Sequence, residues 1–246
     1  MRTWIASGRH LGTAALASAL AGTVVGGLLG RVVMRVSGFT AGPALVGVTT
    51  SNGNRVGDIT FAGTAILVIF VALAAGVLGG VVYAVVEPWL RRLRPWHGLA
   101  YGVALLLAFG FSVLEPTNFD FKRFGMPALN VAMFAALFVL FGVVTAWLFE
   151  GLQKVRAGTG RAAQVVDILA WMAVAPVVLA AGLAAVSVGG LDAPLYSLLV
   201  VAALVVAVLV RWRGLPLAIG YASLVGAMLL GAARLLPGLP NLLTGF

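Results

Sequence analysis

Two arginines four residues apart, Arg31 and Arg35, are the side chains of this sequence best suited to gripping an anion. Their i, i+4 spacing puts both guanidinium groups on one helix face. A guanidinium fork matches the oxygens of a phosphate two at a time. A second polar stretch, Glu115 to Asn130, reads Glu-Pro-Thr-Asn-Phe-Asp-Phe-Lys-Arg-Phe-Gly-Met-Pro-Ala-Leu-Asn. It sets Glu115 and Asp120 beside Lys122 and Arg123, with Phe119, Phe121 and Phe124 interleaved. Rings at headgroup depth with charged tips reaching water belong at a membrane boundary. Asp58, just ahead of the second apolar run, adds a carboxylate placed to cap a helix N-terminus. The expectation is an outer cluster in which Asp58, Glu115, Asp120, Lys122 and Arg123 form ion pairs around Arg31 and Arg35. Those two arginines would bind a ligand or lipid phosphate, or else snorkel to the headgroups as structural residues.

Other chemistries find weaker support. A retinal protein needs a lysine inside its last helix, and the two lysines, Lys122 and Lys154, both fall in connectors. Intramembrane serine proteolysis needs a serine and a base in contact. Ser112 and His97 stand fifteen residues apart on one apolar run, about 22 Å along a helix. His10 belongs to the opposite boundary from the outer cluster, and both histidines read as ordinary interfacial residues. Glu115 and Asp120 could offer oxygens to a metal, but four neighbouring cations would oppose it. A proton-coupled carrier places an acid within the hydrocarbon layer; all seven acids here lie at run ends or in connectors. With no cysteine, thiol chemistry and thiolate metal sites drop out. No catalytic residue, cofactor or metal is expected.

The elements that would carry these residues are membrane helices. Of 246 residues, 62% are hydrophobic and only 9% charged, with mean hydropathy +1.10. Soluble domains carry about a quarter charged residues, so a water-soluble fold is excluded. The net charge of +9 sits at the ends of apolar runs, which points to topology and anionic lipid headgroups as partners and away from nucleic acid.

Seven apolar runs are long enough to read as spans of about 20 residues. They cover Leu11–Val33, Phe61–Val86, Gly98–Leu114, Pro127–Phe149, Val165–Val188, Pro194–Val210 and Leu215–Leu236. The first continues past a signal-peptide-like Ala17-Ser18-Ala19, so it reads as a retained span. Between the first two, Asn52-Gly53 flanked by β-branched residues predicts a β-hairpin over residues 45–60. The fold class is therefore an all-α polytopic bundle of about seven transmembrane helices with a small extracytoplasmic β-hairpin. Two units are expected: a four-helix core over residues 1–150, and a three-helix extension over residues 151–246. Glycines at four-residue spacing, Gly22, Gly26 and Gly30 and then Gly76 and Gly80, offer faces for close helix packing or for a second copy of the chain. Ten of the sixteen Lys and Arg fall on the side of the N-terminus and of the connectors near Arg92, Arg156 and Arg211. That excess predicts a cytoplasmic N-terminus.

Three motifs carry a resemblance. The order Gly30-Arg31-Val-Val-Met34-Arg35, then Val56-Gly57-Asp58-Ile59-Thr60 with Gly63-Thr64, then Asp120-Phe121 with Phe124-Gly125-Met126-Pro127, resembles a group of uncharacterised actinobacterial polytopic integral membrane proteins. It spans about residues 20 to 150, and Met126 departs from the paired prolines common in that group. The resemblance implies a bacterial plasma (inner) membrane and a four-span core, and no reaction. The resulting expectation is a non-enzymatic membrane protein that binds lipid headgroups or a partner protein through the outer cluster. The alternative is a small-solute or anion transporter or channel using the same arginines.

Overall fold

A computed structural model of the chain describes residues 2–42, 47–48, 61, 63–65, 68–69, 78–114, 126–173 and 217–244. Its first helix, α1 (Arg2–Ala21), runs into a π-helical segment, Gly22–Leu29, and on into α2 (Gly30–Thr40). Three glycines, Gly22, Gly26 and Gly27, lie in the π segment, where the lack of a Cβ eases the wider turn. Hydroxyls along this helix fold back on the preceding turn. Thr13 donates to the Arg9 carbonyl at 2.8 Å and Thr23 to Ala19 at 3.0 Å. Such bonds satisfy a hydroxyl where no water reaches.

Next come α3 (Gly80–Leu90), a 3₁₀ turn at Arg91–Leu93, and α4 (His97–Phe109). The longest single helix is α5 (Pro127–Ala157). Pro127 opens it, at the position where a missing N–H leaves no bond unmade. Only residues 158–160 interrupt the chain before α6 (161–173). After the undescribed segment come α7 (Leu217–Leu235) and a short α8 (Leu239–Thr244).

Helices in lipid gain little from the hydrophobic effect, so close backbone approach must hold them together. A Cβ on Gly80 would stand 2.4 Å from Ala15 Cα, and one on Gly142 would stand 2.3 Å from the Gly102 nitrogen. Around these contacts α1, α3, α4 and α5 enclose Ala14, Ala17, Tyr83, Tyr101, Phe141 and Phe149. The rings stack edge to face: Tyr83 on Tyr101 at 4.8 Å, Tyr83 on Phe149 at 5.2 Å, and His10 on Phe149 at 5.1 Å. The buried Tyr101 hydroxyl donates to the Gly79 carbonyl at 2.6 Å.

The expected seven spans with a hairpin need correction. Three described helices are long and apolar enough to cross a membrane: Gly8–Thr40, Pro127–Ala157 and Tyr221–Leu243. They overlap the first, fourth and seventh apolar runs. The third run yields only His97–Phe109, an apolar helix of 13 residues, about 20 Å against a hydrocarbon core of about 30 Å. The second run is helical at its described residues 61, 63–65 and 68–69 and again from 78 through α3; its remaining residues, most of the fifth run and all of the sixth lie outside the described residues. No β-strand occurs among the described residues, so no hairpin is present there. Gly47, at φ +81°, marks a turn, and Asn52-Gly53 lies outside the described residues. The chain is a multi-pass, helical membrane protein.

The glycine contacts give a direct test. Gly142→Ala should lower stability in detergent by about 1–3 kcal/mol, because overpacking against backbone cannot relax by a rotamer change. Gly151 on the same helix has nothing within 4 Å of its would-be Cβ, so Gly151→Ala should be neutral or stabilise by up to about 1 kcal/mol. Thermal unfolding of the two variants checks the difference; equal shifts would contradict the packing.

Candidate functional site

The arginine pair lies just beyond the π segment. Arg31 stands in the first turn of α2 and is partly buried; its Nε is enclosed and has no hydrogen-bond partner among the described residues. Arg35, one turn on, is exposed, with its guanidinium 4.9 Å from the centre of the Phe39 ring, in cation–π range. Nearby, the Ser37 hydroxyl donates to Asn130 Oδ1 at 2.6 Å. Asn130, 3% exposed, is the last residue of the polar stretch read from the sequence. This bond ties the end of α2 to the start of α5, so the stretch meets the arginine-bearing helix at its described edge. The other cluster members, Asp58, Glu115, Asp120, Lys122 and Arg123, lie outside the described residues.

The opposite end of the bundle is built differently. Three acids are described, Glu87, Glu150 and Asp167, and each is shared by two bases. Glu87, 5% exposed near the end of α3, binds Arg91 one turn on through Nε at 2.6 Å and also through Nη2. Its other oxygen lies 3.9 Å from His10 Nε2 of α1. Glu150 of α5 takes Arg94 Nη2 at 2.5 Å and sits 3.2 Å from His97 Nε2 at the start of α4. Asp167 of α6 joins Arg9 of α1 at 3.2 Å and Arg156 of α5 at 2.6 Å. Arg156 donates further to the Arg9 carbonyl at 2.9 Å and to the Thr13 hydroxyl.

These pairs differ in weight. Arg9 and Arg94 are about half exposed, so their bonds contribute little, within about 1 kcal/mol. Glu87 and Arg156, at 6% and 14% side-chain exposure, would strand a charge if a partner were removed. Sequence reasoning left this end unassigned. Its one local signal was Glu87 four residues ahead of Arg91, the favourable order on a helix. The 56-residue separation of Arg94 from Glu150 has no signature in spacing. The two histidines, read as ordinary boundary residues, each lie against a glutamate. No three His, Cys, Asp or Glu converge to hold a metal among the described residues. His97 and Ser112 stand at opposite ends of α4 and its 3₁₀ extension.

With the geometry of both ends in view, no family model, curated protein or solved structure matches this chain. The actinobacterial resemblance therefore gains no support beyond the three motifs that carry it.

One further buried group is unusual. Thr145 is fully buried on α5, midway between Phe141 and Phe149, and its hydroxyl has no hydrogen-bond partner among the described residues. Thr145→Val should be neutral or stabilise slightly, because it removes an unmet polar group at constant shape. Asp167→Ala should instead destabilise by about 1–3 kcal/mol, because it strands the largely buried charge of Arg156. Unfolding in detergent at neutral pH compares the two, and a larger loss in the valine variant would contradict both readings.

Proposed function

We propose that the protein is a bacterial plasma-membrane component that holds a phosphate-bearing lipid at the outer edge of its first span, through Arg31 and Arg35. One observation carries the proposal: Arg31 Nε is enclosed without a hydrogen-bond partner among the described residues. An unmet buried donor on a charged group is costly, and a phosphate oxygen would supply the missing acceptor. The described acids lend no help, since all three are engaged at the opposite end. Arg35, on the same face and exposed, is placed to add a second donor.

Two features favour retention of a lipid over passage of a small anion. Arg31 and Arg35 lie nine and five residues short of Thr40, the end of the Gly8–Thr40 helix, a distance from which guanidinium heads can reach headgroup phosphates. The described bundle interior is closed by direct backbone contact at Gly80–Ala15 and Gly142–Gly102, which leaves little room for an aqueous route. In this reading the end bearing Glu87, Glu150 and Asp167 is cytoplasmic, in keeping with the cation excess there.

Lipid carried through purification tests the site. Arg31→Leu should come out of the membrane folded but with most of its tightly bound phospholipid lost, as read by phosphorus assay and mass spectrometry. Arg31→Lys should retain only part, since an ammonium keeps the charge without the fork. Wild-type lipid content in Arg31→Leu would overturn the proposal.

A further inference from the structure

We propose that the opposite end of the bundle carries a second and separate lipid surface, selective for anionic phospholipid of the adjoining leaflet. The argument starts from which charges at that end are used. Arg9, Arg91, Arg94 and Arg156 are paired with the three carboxylates. Arg92, Lys154 and Arg161 are exposed and in no ion pair among the described residues. With every described acid occupied, these three cations have no carboxylate among the described residues to neutralise them.

Geometry gathers them. The bond from Arg94 to Glu150 seats the 91–96 turn against the last turns of α5. Lys154 is one turn beyond Glu150 and shares its face. Arg161 follows after the three residues that separate α5 from α6.

Apolar groups lie among these charges. Leu93 and Trp96 are 50% and 66% exposed on the same turn, and the Trp96 N–H donates to the Leu93 carbonyl at 2.7 Å. The anchoring of Arg91 to Glu87 and of Arg94 to Glu150 holds that turn at both ends. Two large apolar side chains fixed outward between free cations are poorly suited to water. They fit a headgroup layer, where tryptophan and arginine settle together and negative lipid supplies the counter-charge. An acidic protein segment would match the cations but gives no reason for the fixed leucine and tryptophan beside them.

Full-length protein in neutral detergent, titrated with short-chain phosphatidylglycerol or phosphatidylcholine, provides the test through its melting temperature. Phosphatidylglycerol should stabilise the wild type more than phosphatidylcholine does. The triple variant Arg92→Gln, Lys154→Gln, Arg161→Gln should melt like the wild type in phosphatidylcholine, since it breaks no ion pair among the described residues. Its apparent affinity for phosphatidylglycerol should fall about a hundredfold, roughly fivefold per cation. Trp96→Ala should weaken the response further, and Arg31→Leu should leave it in place, so the two lipid sites fail independently. A wild-type phosphatidylglycerol response in the triple variant would overturn the proposal. So would equal stabilisation by glycerol phosphate alone, which would assign the surface to a soluble anion.

Discussion

A partly buried carboxylate left without a counter-charge costs desolvation energy, and this constraint shapes the end of the bundle that carries Glu87, Glu150 and Asp167. Glu87, Glu150 and Asp167 each lie against two bases, and each acid is met by at least one base from a distant stretch of chain. The contacts run from α1 to α3, from the 91–96 turn and α4 to α5, and from α6 to both α1 and α5. Five helices are thereby fixed in depth at one end. Farther in, dispersion between small residues takes over, and the edge-to-face rings of Tyr83, Tyr101 and Phe149 fill the space between glycine contacts. Polar pairing sets the register and close packing sets the distance.

The two ends of the bundle consequently present opposite problems to the lipid around them. At one, three acids are spent internally and a remainder of free cations faces outward. At the other, a guanidinium nitrogen of Arg31 is drawn inside and has no acceptor among the described residues. In the two proposals, phosphate chemistry answers both, by neutralising the surplus in the first case and by completing a hydrogen bond in the second. The π segment Gly22–Leu29 bears on the second. Its wider turn changes the angular phase of everything beyond it, including the face on which Arg31 and Arg35 stand. Helices of this type occur mostly as short interruptions at functional sites.

Sequence alone conveyed the helical membrane class and the start of α5 at Pro127, because composition and proline stereochemistry act locally. It overcounted the spans because hydropathy registers an apolar run whether or not one unbroken helix crosses on it; His97–Phe109 is apolar yet short. The glycine spacing was half legible. Gly80 does pack against backbone, as its pairing with Gly76 implied, but Gly30 has nothing within 4 Å of its would-be Cβ. The π turn between Gly22 and Leu29 explains part of this, since a four-residue stripe no longer tracks one face there. Gly102 and Gly142 drew no notice because their partnership joins two different helices. The same holds for the shared carboxylates: Glu87 with Arg91 is local, whereas Glu150 with Arg94 and Asp167 with Arg9 exist only once the helices are assembled.

Sidedness of the polar end is the most direct measure of this account, and the absence of native cysteine makes it accessible. Single cysteines at Arg92, Arg161 and Thr40 would be probed with a membrane-impermeant maleimide in intact cells and in inverted vesicles. The account predicts that positions 92 and 161 label together, and only in inverted vesicles, while position 40 labels only in intact cells. Labelling of 92 and 161 from opposite sides would contradict it, because the Arg94–Glu150 and Arg156–Asp167 pairs require both segments on one face.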